Sequence, residues 1–267
     1  MTEFILPSKP RIIKEEKNVG IFEIEGLYTG YGLTIGNALR RVLLSSLPGA
    51  AITTVKIKGV QHEFSTLAGV MEDIIQLLVN LKKIRVKMFT TEPQTLFLSA
   101  KGEKKVGAAD IQKNSNIEIL NPDVHIATLT EKKSELEIIL TIEQGLGYVP
   151  AELRKKEKLP VGTISLDAVF SPIKKVNYEV EDMRVGERTD YNRLRIYIET
   201  DGSISPRLAL KKATEILANH FQVIGAGIEI PEEKVPVVKE LKTKPRVKVE
   251  KKGLKTKKSV KKSKSKK

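Results

Sequence analysis

The chain has 267 residues, 40% of them hydrophobic and none of them cysteine. That length fits one large domain or two small ones, and the composition excludes disulfides, thiolate metal sites and cysteine nucleophiles. The net charge of +14 sits at one end: residues 239–267 hold 14 lysines and Arg246 against Glu240 and Glu250, a net +13, while residues 1–238 sum to +1.

No apolar run approaches the roughly 18 residues of a membrane span, and MTEFILPSKPRIIKEEK lacks the apolar core and cleavage site of a signal peptide. A soluble cytoplasmic protein is the expectation. Residues 19–28, VGIFEIEGLY, alternate as a strand does and lead through a Gly30/Gly32 turn into a helix, TIGNALRRVLLSSLPG, predicted over 34–47. Thr34 is its expected cap and Pro48-Gly49 its stop. At 100° per residue, Ile35, Ala38, Leu39, Val42, Leu43 and Leu47 cover one broad half. Asn37, Arg40, Arg41 and Ser45 share the other, with Leu44 between the arginines. A surface helix needs an apolar stripe of only roughly 100°, so this one has apolar surface for two neighbours and a separate cationic face with a leucine in it.

AITTVKIKGV (51–60) reads as a half-buried strand. A second amphipathic helix is predicted over 69–81, with Val70, Ile74, Leu77, Leu78 and Leu81 inward and Glu72 and Asp73 in its first turn. Short strands follow at 84–89, 95–100, 117–120, 124–129, 135–143 and 163–170, and RKKEKLP (154–160) reads as a charged loop. Beyond Pro172 come two strands, KKVNYEV and NRLRIYIET, and then a helix capped by Ser205 with Pro206 in its first turn. Ala209, Leu210, Ala213, Ile216, Leu217, Phe221 and Ile224 form its apolar arc, and Gly225 is its expected end. Past Ile230 no periodicity remains, and disorder is expected. The pattern is that of an α+β domain built from both ends of the chain around an inserted β-rich block.

Sites for chemistry are sparse. The glycines of TGYGLTIG are one residue too wide for G-x-G-x-x-G, and Lys56 stands where the ribose-binding acid belongs. His62-Glu63 begins like H-E-x-x-H, but Thr66 occupies the second histidine's place. His62, His125 and His220 are too scattered for a metal motif, and His220 is expected to be a buried, hydrogen-bonded member of the last helix's arc. There is no nucleophile elbow and no paired-aspartate cluster for magnesium.

TIGNALRRVLLSSLPGAAIT closely resembles the signature of the bacterial RNA polymerase alpha-subunit family, in its N-terminal assembly domain. The resemblance continues in order through GVQHEFSTLAGVMEDIIQLLVNLK, GYVPAE, DAVFSPIKKVNYEV, RTDYNRLRIYIETDGSISP and ATEILANHF, over about residues 3–224. It implies a dimerisation subdomain of antiparallel sheet and two long helices from residues 1–48 and 174–230 and an inserted β-rich subdomain at 49–173; the disordered Lys-rich tail expected at 231–267 is read from the composition alone. It also implies a homodimer, with Ile35, Leu39, Val42, Leu43, Ala213, Ile216, Leu217 and Phe221 at the dimer interface, on which the beta and beta-prime subunits assemble, with omega in the core complex.

By the same resemblance Arg40, Arg41 and Leu44 would meet beta, Arg41 matching the arginine on which that assembly depends in the family. Lys82 matches a position implicated in beta-prime binding. Catalytic magnesium would belong to beta-prime, leaving this chain without cofactor or active site within a nucleotidyltransferase complex. Where the family carries a helical C-terminal domain that binds promoter DNA, this sequence shows the lysine-rich segment instead. Lys251, Lys252, Lys257, Lys258, Lys261 and Lys262 would attract DNA through its phosphates. The alternative function is a free-standing basic nucleic-acid-binding protein, ribosomal or chromosome-associated, acting through that tail. The near-neutral body, poor in aromatic residues, argues against it.

Overall fold

A computed structural model describes residues 6–154 and 160–227. In chain order it contains β1 (Arg11–Glu15), β2 (Val19–Leu27), α1 (Tyr31–Ser45), β3 (Pro48–Ile57), α2 (Ile74–Lys82), β4 (Val86–Met88), β5 (Gln94–Lys101), β6 (Lys104–Gly107), a 3-10 turn at Ala108–Asp110, and β7 (Ile117–Ile119). There follow β8 (His125–Leu129), β9 (Glu135–Leu146), β10 (Tyr148–Val149), α3 (Ala151–Arg154), β11 (Thr163–Ser165), β12 (Ala168–Val169), β13 (Ile173–Val185), β14 (Arg188–Thr200) and α4 (Pro206–Ala226). The class is α+β with antiparallel sheets, as the pattern predicts. The predicted loop at 154–160 and the lysine-rich tail lie outside the described residues, apart from the ends of that loop.

β1, β2, β14 and β13 form a four-stranded antiparallel sheet in that order. Its inner face carries Phe22, Leu194, Ile196 and Ile198 and is covered by α1 and α4, which add Leu39, Leu43, Leu47, Ala209, Leu210 and Ala213. A separate core lies against the sheet β5-β9-β3-β4-β7, with β11 also paired to β3. There Leu136, Ile138, Leu140 and Ile142, alternating along β9, meet Val55, Ile57, Leu77 and Leu81. Each such fully buried aliphatic side chain contributes about 1.5–3 kcal/mol.

The chain enters and leaves the second region at one point. β3 and β9 pair Gly49 with Gly145, and both glycines abut Phe170. A Cβ on Gly49 would overlap the Phe170 carbonyl oxygen, and one on Gly145 would lie 2.6 Å from the Phe170 ring.

Three helix boundaries differ from the pattern. α1 starts at Tyr31, not Thr34, because Gly30 takes a left-handed conformation (φ 83°) and turns the chain directly into the helix. Gly32 is therefore a helical, not a turn, residue, and it lies on the same side of α1 as Gly36. They face the sheet, where a Cβ would come within 2.7 Å of Val180 and of Tyr178 respectively, and so they let the helix lie close on β13 and β14. α2 starts at Ile74: Asp73 caps it by accepting from Gln76 N at 2.7 Å, and Val70 instead bridges to Leu129. Glu72, predicted in that helix's first turn, reaches across to β8 and accepts from Thr128 N at 2.6 Å and from Thr128 Oγ1 at 3.0 Å, and it bonds His125 Nε2 at 2.8 Å. Burial disfavours ionising this carboxyl, but those hydrogen bonds outweigh it and hold the group below the usual carboxylate range. Finally, α4 is capped by Ser205, which accepts from Leu208 N at 3.3 Å, but runs through Gly225 to Ala226.

Candidate interaction surface

α1 presents two sides. Gly32, Gly36, Leu39 and Leu43 lie against the sheet and α4, whereas Asn37, Arg40, Arg41, Leu44 and Ser45 face outward, Leu44 being 37% exposed. Among the described residues neither guanidinium forms an ion pair or hydrogen bond with another side chain. Arg40 and Arg41 thus flank an exposed leucine with their charges available.

Two remote groups hold this helix in place. The side-chain oxygen of Asn192, buried on β14, accepts from Gly30 N at 2.8 Å and Gly32 N at 3.4 Å, while its amide donates to Asp182 at 3.0 Å. It caps a helix whose own cap position has no side chain. Just upstream, Thr29 Oγ1 donates to Asp190 Oδ2 at 2.7 Å, and Asp190 is paired with Arg188, which lies over the rings of Tyr28 and Tyr191 at 5.1 and 5.4 Å. Hydrogen bonds from Arg188 and then Thr29 hold the Asp190 carboxyl far below its usual range. These contacts pin the β13–β14 hairpin to the start of α1.

The predicted dimer residues separate into three groups. Leu39, Leu43 and Ala213 are buried in the protomer's own core and have no surface left for a second chain. Periodicity finds an apolar face without telling which neighbour covers it. Ile35, Val42, Ile216 and Leu217 are partly buried at the margin of that core, and Phe221 is 67% exposed. Leu33, Val223 and Ile224 are exposed as well. Leu33 and Val223 escaped the sequence reading because one precedes the predicted helix start and the other lies off the predicted arc. Between α1, β13 and α4 an open groove is lined by Leu33, Asn37, Ala38, Arg41, Tyr178 and Leu217, among others. His220, predicted buried, is exposed, with Nδ1 2.7 Å from the Ile216 carbonyl oxygen.

Lys82, at the end of α2, pairs with Asp167 at 2.8 Å. Hydrogen bonds from Lys82 and from Ala151 N hold that carboxyl below its usual range. Both side chains are more than a third exposed, so the pair contributes about 1 kcal/mol at most. The surrounding cleft also contains Arg85, Tyr148 and Val169. Among the described residues no group of three or more His, Asp or Glu side chains is arranged to hold a metal, and no helix is long and apolar enough to cross a membrane. The six tail lysines singled out for DNA lie outside the described residues.

Residues 55–171 match the RNA polymerase Rpb3/RpoA insert domain. Three similar proteins are each described as DNA-directed RNA polymerase subunit alpha. That of Symbiobacterium thermophilum is 48% identical over 219 residues, 80% of this chain and 69% of the relative. That of Oceanobacillus iheyensis is 45% identical over 237 residues, 87% and 75% of the two chains. That of Alkaliphilus oremlandii is 48% identical over 219 residues, again 80% and 69%.

Proposed function

The chain belongs to the family of DNA-directed RNA polymerase alpha subunits, which sets aside the free-standing nucleic-acid-binding alternative, and from that premise we propose that it is the homodimeric platform on which the enzyme's large subunits assemble. The observation that carries this is the outward side of α1: two arginines that form no ion pair among the described residues, around an exposed leucine, on a helix whose other side is already buried. Arginine beside an apolar anchor is the composition of an interface hot spot. Arg40, Arg41 and Leu44 of one protomer contact beta, and the Lys82 cleft of the other protomer serves beta-prime.

The second copy covers Leu33, Phe221, Val223 and Ile224 with the margins of Ile35, Val42, Ile216 and Leu217. These residues leave an apolar surface at the open ends of α1 and α4 that water disfavours. Residues 1–48 and 174–230 form the dimerising part and 49–173 the inserted part. The two separate cores support that division. The chain works in the cytoplasm, brings no cofactor or active site of its own, and joins omega and the DNA as part of the complex, with magnesium held by beta-prime.

Co-expression with tagged beta tests the assignment. Arg41→Ala is expected to weaken beta capture about 30-fold, the effect of losing about 2 kcal/mol at a hot spot, while leaving thermal stability and sedimentation unchanged. If Arg41→Ala unfolds the chain or splits the dimer, that side of α1 is not the beta contact.

A further inference from the structure

We propose that the beta contact does not end at α1 but continues over the Leu146–Gly147–Tyr148 turn onto the β10–β12 ladder, as one surface with an apolar centre and a basic margin. This extension rests on the assignment of Arg41 to beta.

The continuity is structural. Ser45 lies one turn beyond Arg41 on the same side of α1, and its hydroxyl donates to the Arg41 carbonyl at 2.8 Å. The Ser45 carbonyl oxygen in turn lies 3.4 Å from the Cβ position of Gly147, so the turn abuts the end of the helix. Gly147 has φ 61°, a left-handed conformation that a larger residue resists, and its carbonyl accepts from Phe170 N at 2.8 Å. The turn is held on both sides. Before it, Leu146 is paired with Pro48; after it, Tyr148 stands directly opposite Val169.

Leu44, Leu146, Tyr148 and Val169 are all exposed, the last three by 57%, 59% and 45%. Tyr148 and Val169 line the cleft that holds Lys82, and Leu44 and Leu146 are the exposed apolar side chains of the helix and the turn that lead to it. Arg40 and Arg41 border the strip at one end and Arg85 at the other, and none of their guanidiniums has a described ion pair. The cleft's Asp167 is already engaged by Lys82 and the Ala151 N–H. The face thus offers unpaired positive charge around an apolar centre, with arginine and tyrosine as anchors. The occupant it fits is the beta segment that takes Arg41, itself apolar at its centre and acidic at its margin.

The experiment compares the full-length chain with Leu146→Ala, Tyr148→Ala, Tyr148→Phe and Arg41→Ala, each co-expressed with beta, reading beta affinity, dimer sedimentation and melting temperature. Leu146→Ala and Tyr148→Ala are expected to lower beta affinity about tenfold each, with Tyr148→Phe retaining it and the dimer unchanged. A loss with Arg41→Ala but less than a twofold change with both alanine variants of the turn overturns the extension and leaves the α1 assignment standing. No loss with Arg41→Ala overturns the reading beneath both. Dissociation of the dimer by Tyr148→Ala gives the strip to the second copy and overturns the proposal. Leu146→Ala, at an exposed strand end, keeps the test decisive if Tyr148→Ala misfolds.

Discussion

Asn192 ties the arginine-bearing helix α1 to β14, an inner strand of the four-stranded sheet. Its side-chain oxygen receives two of the N–H groups that open α1, in a place where water has little access. Asn192→Ala leaves those donors unmatched and frees Asp182, at a cost of about 1–2 kcal/mol. In a chain of this size that corresponds to a melting temperature lower by roughly 2–8 °C, measurable by thermal denaturation. A variant that melts like the wild type would show that another group takes over the cap. The sequence offers no hint of this residue's role. NRLRIYIET reads correctly as a strand, but its first asparagine serves a helix at the other end of the chain. Ser205 shows the opposite case: it caps the helix that immediately follows it, and a local pattern suffices to find it.

α1 sits close on the sheet because Gly32 and Gly36, four residues apart, present no side chain to it. A helix-interior glycine normally gains about 1 kcal/mol on replacement by alanine. At Gly36 the new Cβ would meet the Tyr178 ring at 2.7 Å and Leu194 at 2.9 Å, and overpacking of that kind costs about 1–3 kcal/mol. The packing loss wins. Gly36→Ala is expected to lower unfolding free energy by about 1 kcal/mol in a denaturant titration, with a stability gain as the contrary result.

The same contrast explains which elements could be read from sequence. β9 follows one strict period, so its buried positions are predictable from hydrophobic spacing; in α4 the spacing finds Ala209, Leu210 and Ala213 but also takes in Phe221 and Ile224, which the protomer leaves exposed. β6 is not visible in the pattern because two of its four residues are exposed lysines and its partner, β8, follows only after the 3-10 turn and β7. The β13–β14 hairpin extends well past its predicted strands, since EDMRVGERTD is polar on both sides there and reads as loop. The outward side of α1 was legible because an arginine pair cannot be buried without partners. The Leu146–Tyr148 strip was not, because it exists only once β9, β10 and β12 are brought together.

At the scale of the whole molecule the charge is divided. Residues 1–238 carry +1 and residues 239–267 carry +13, so in a dimer two polycationic segments accompany a nearly neutral body. Lysines without apolar periodicity neutralise phosphates but do not read bases. If about six phosphates are engaged, the tail's contribution to DNA affinity falls roughly 10³-fold between 50 and 200 mM salt. Removing residues 234–267 is therefore expected to leave dimer and assembly intact while lowering retention of DNA of any sequence at low salt. Equal retention by both enzymes across that range would remove DNA as the tail's target.

The contact of Phe170 with Gly49 and Gly145 would also set the order of folding during synthesis. β2 can find its neighbour β14 only after almost the whole described chain has emerged, since Val19 pairs with Glu199. The inserted region needs no such wait, because its strands all lie between Pro48 and Val169. Once it has formed, the Gly49–Phe170 contact brings its two ends together. The open loop between β2 and β14 then shrinks from roughly 170 residues to roughly 45, lowering the entropic cost of closing it by about 1 kcal/mol. A side chain at Gly49 would thus delay a sheet it does not belong to. The core beneath α1 and α4 would be completed last, after the inserted region has already folded.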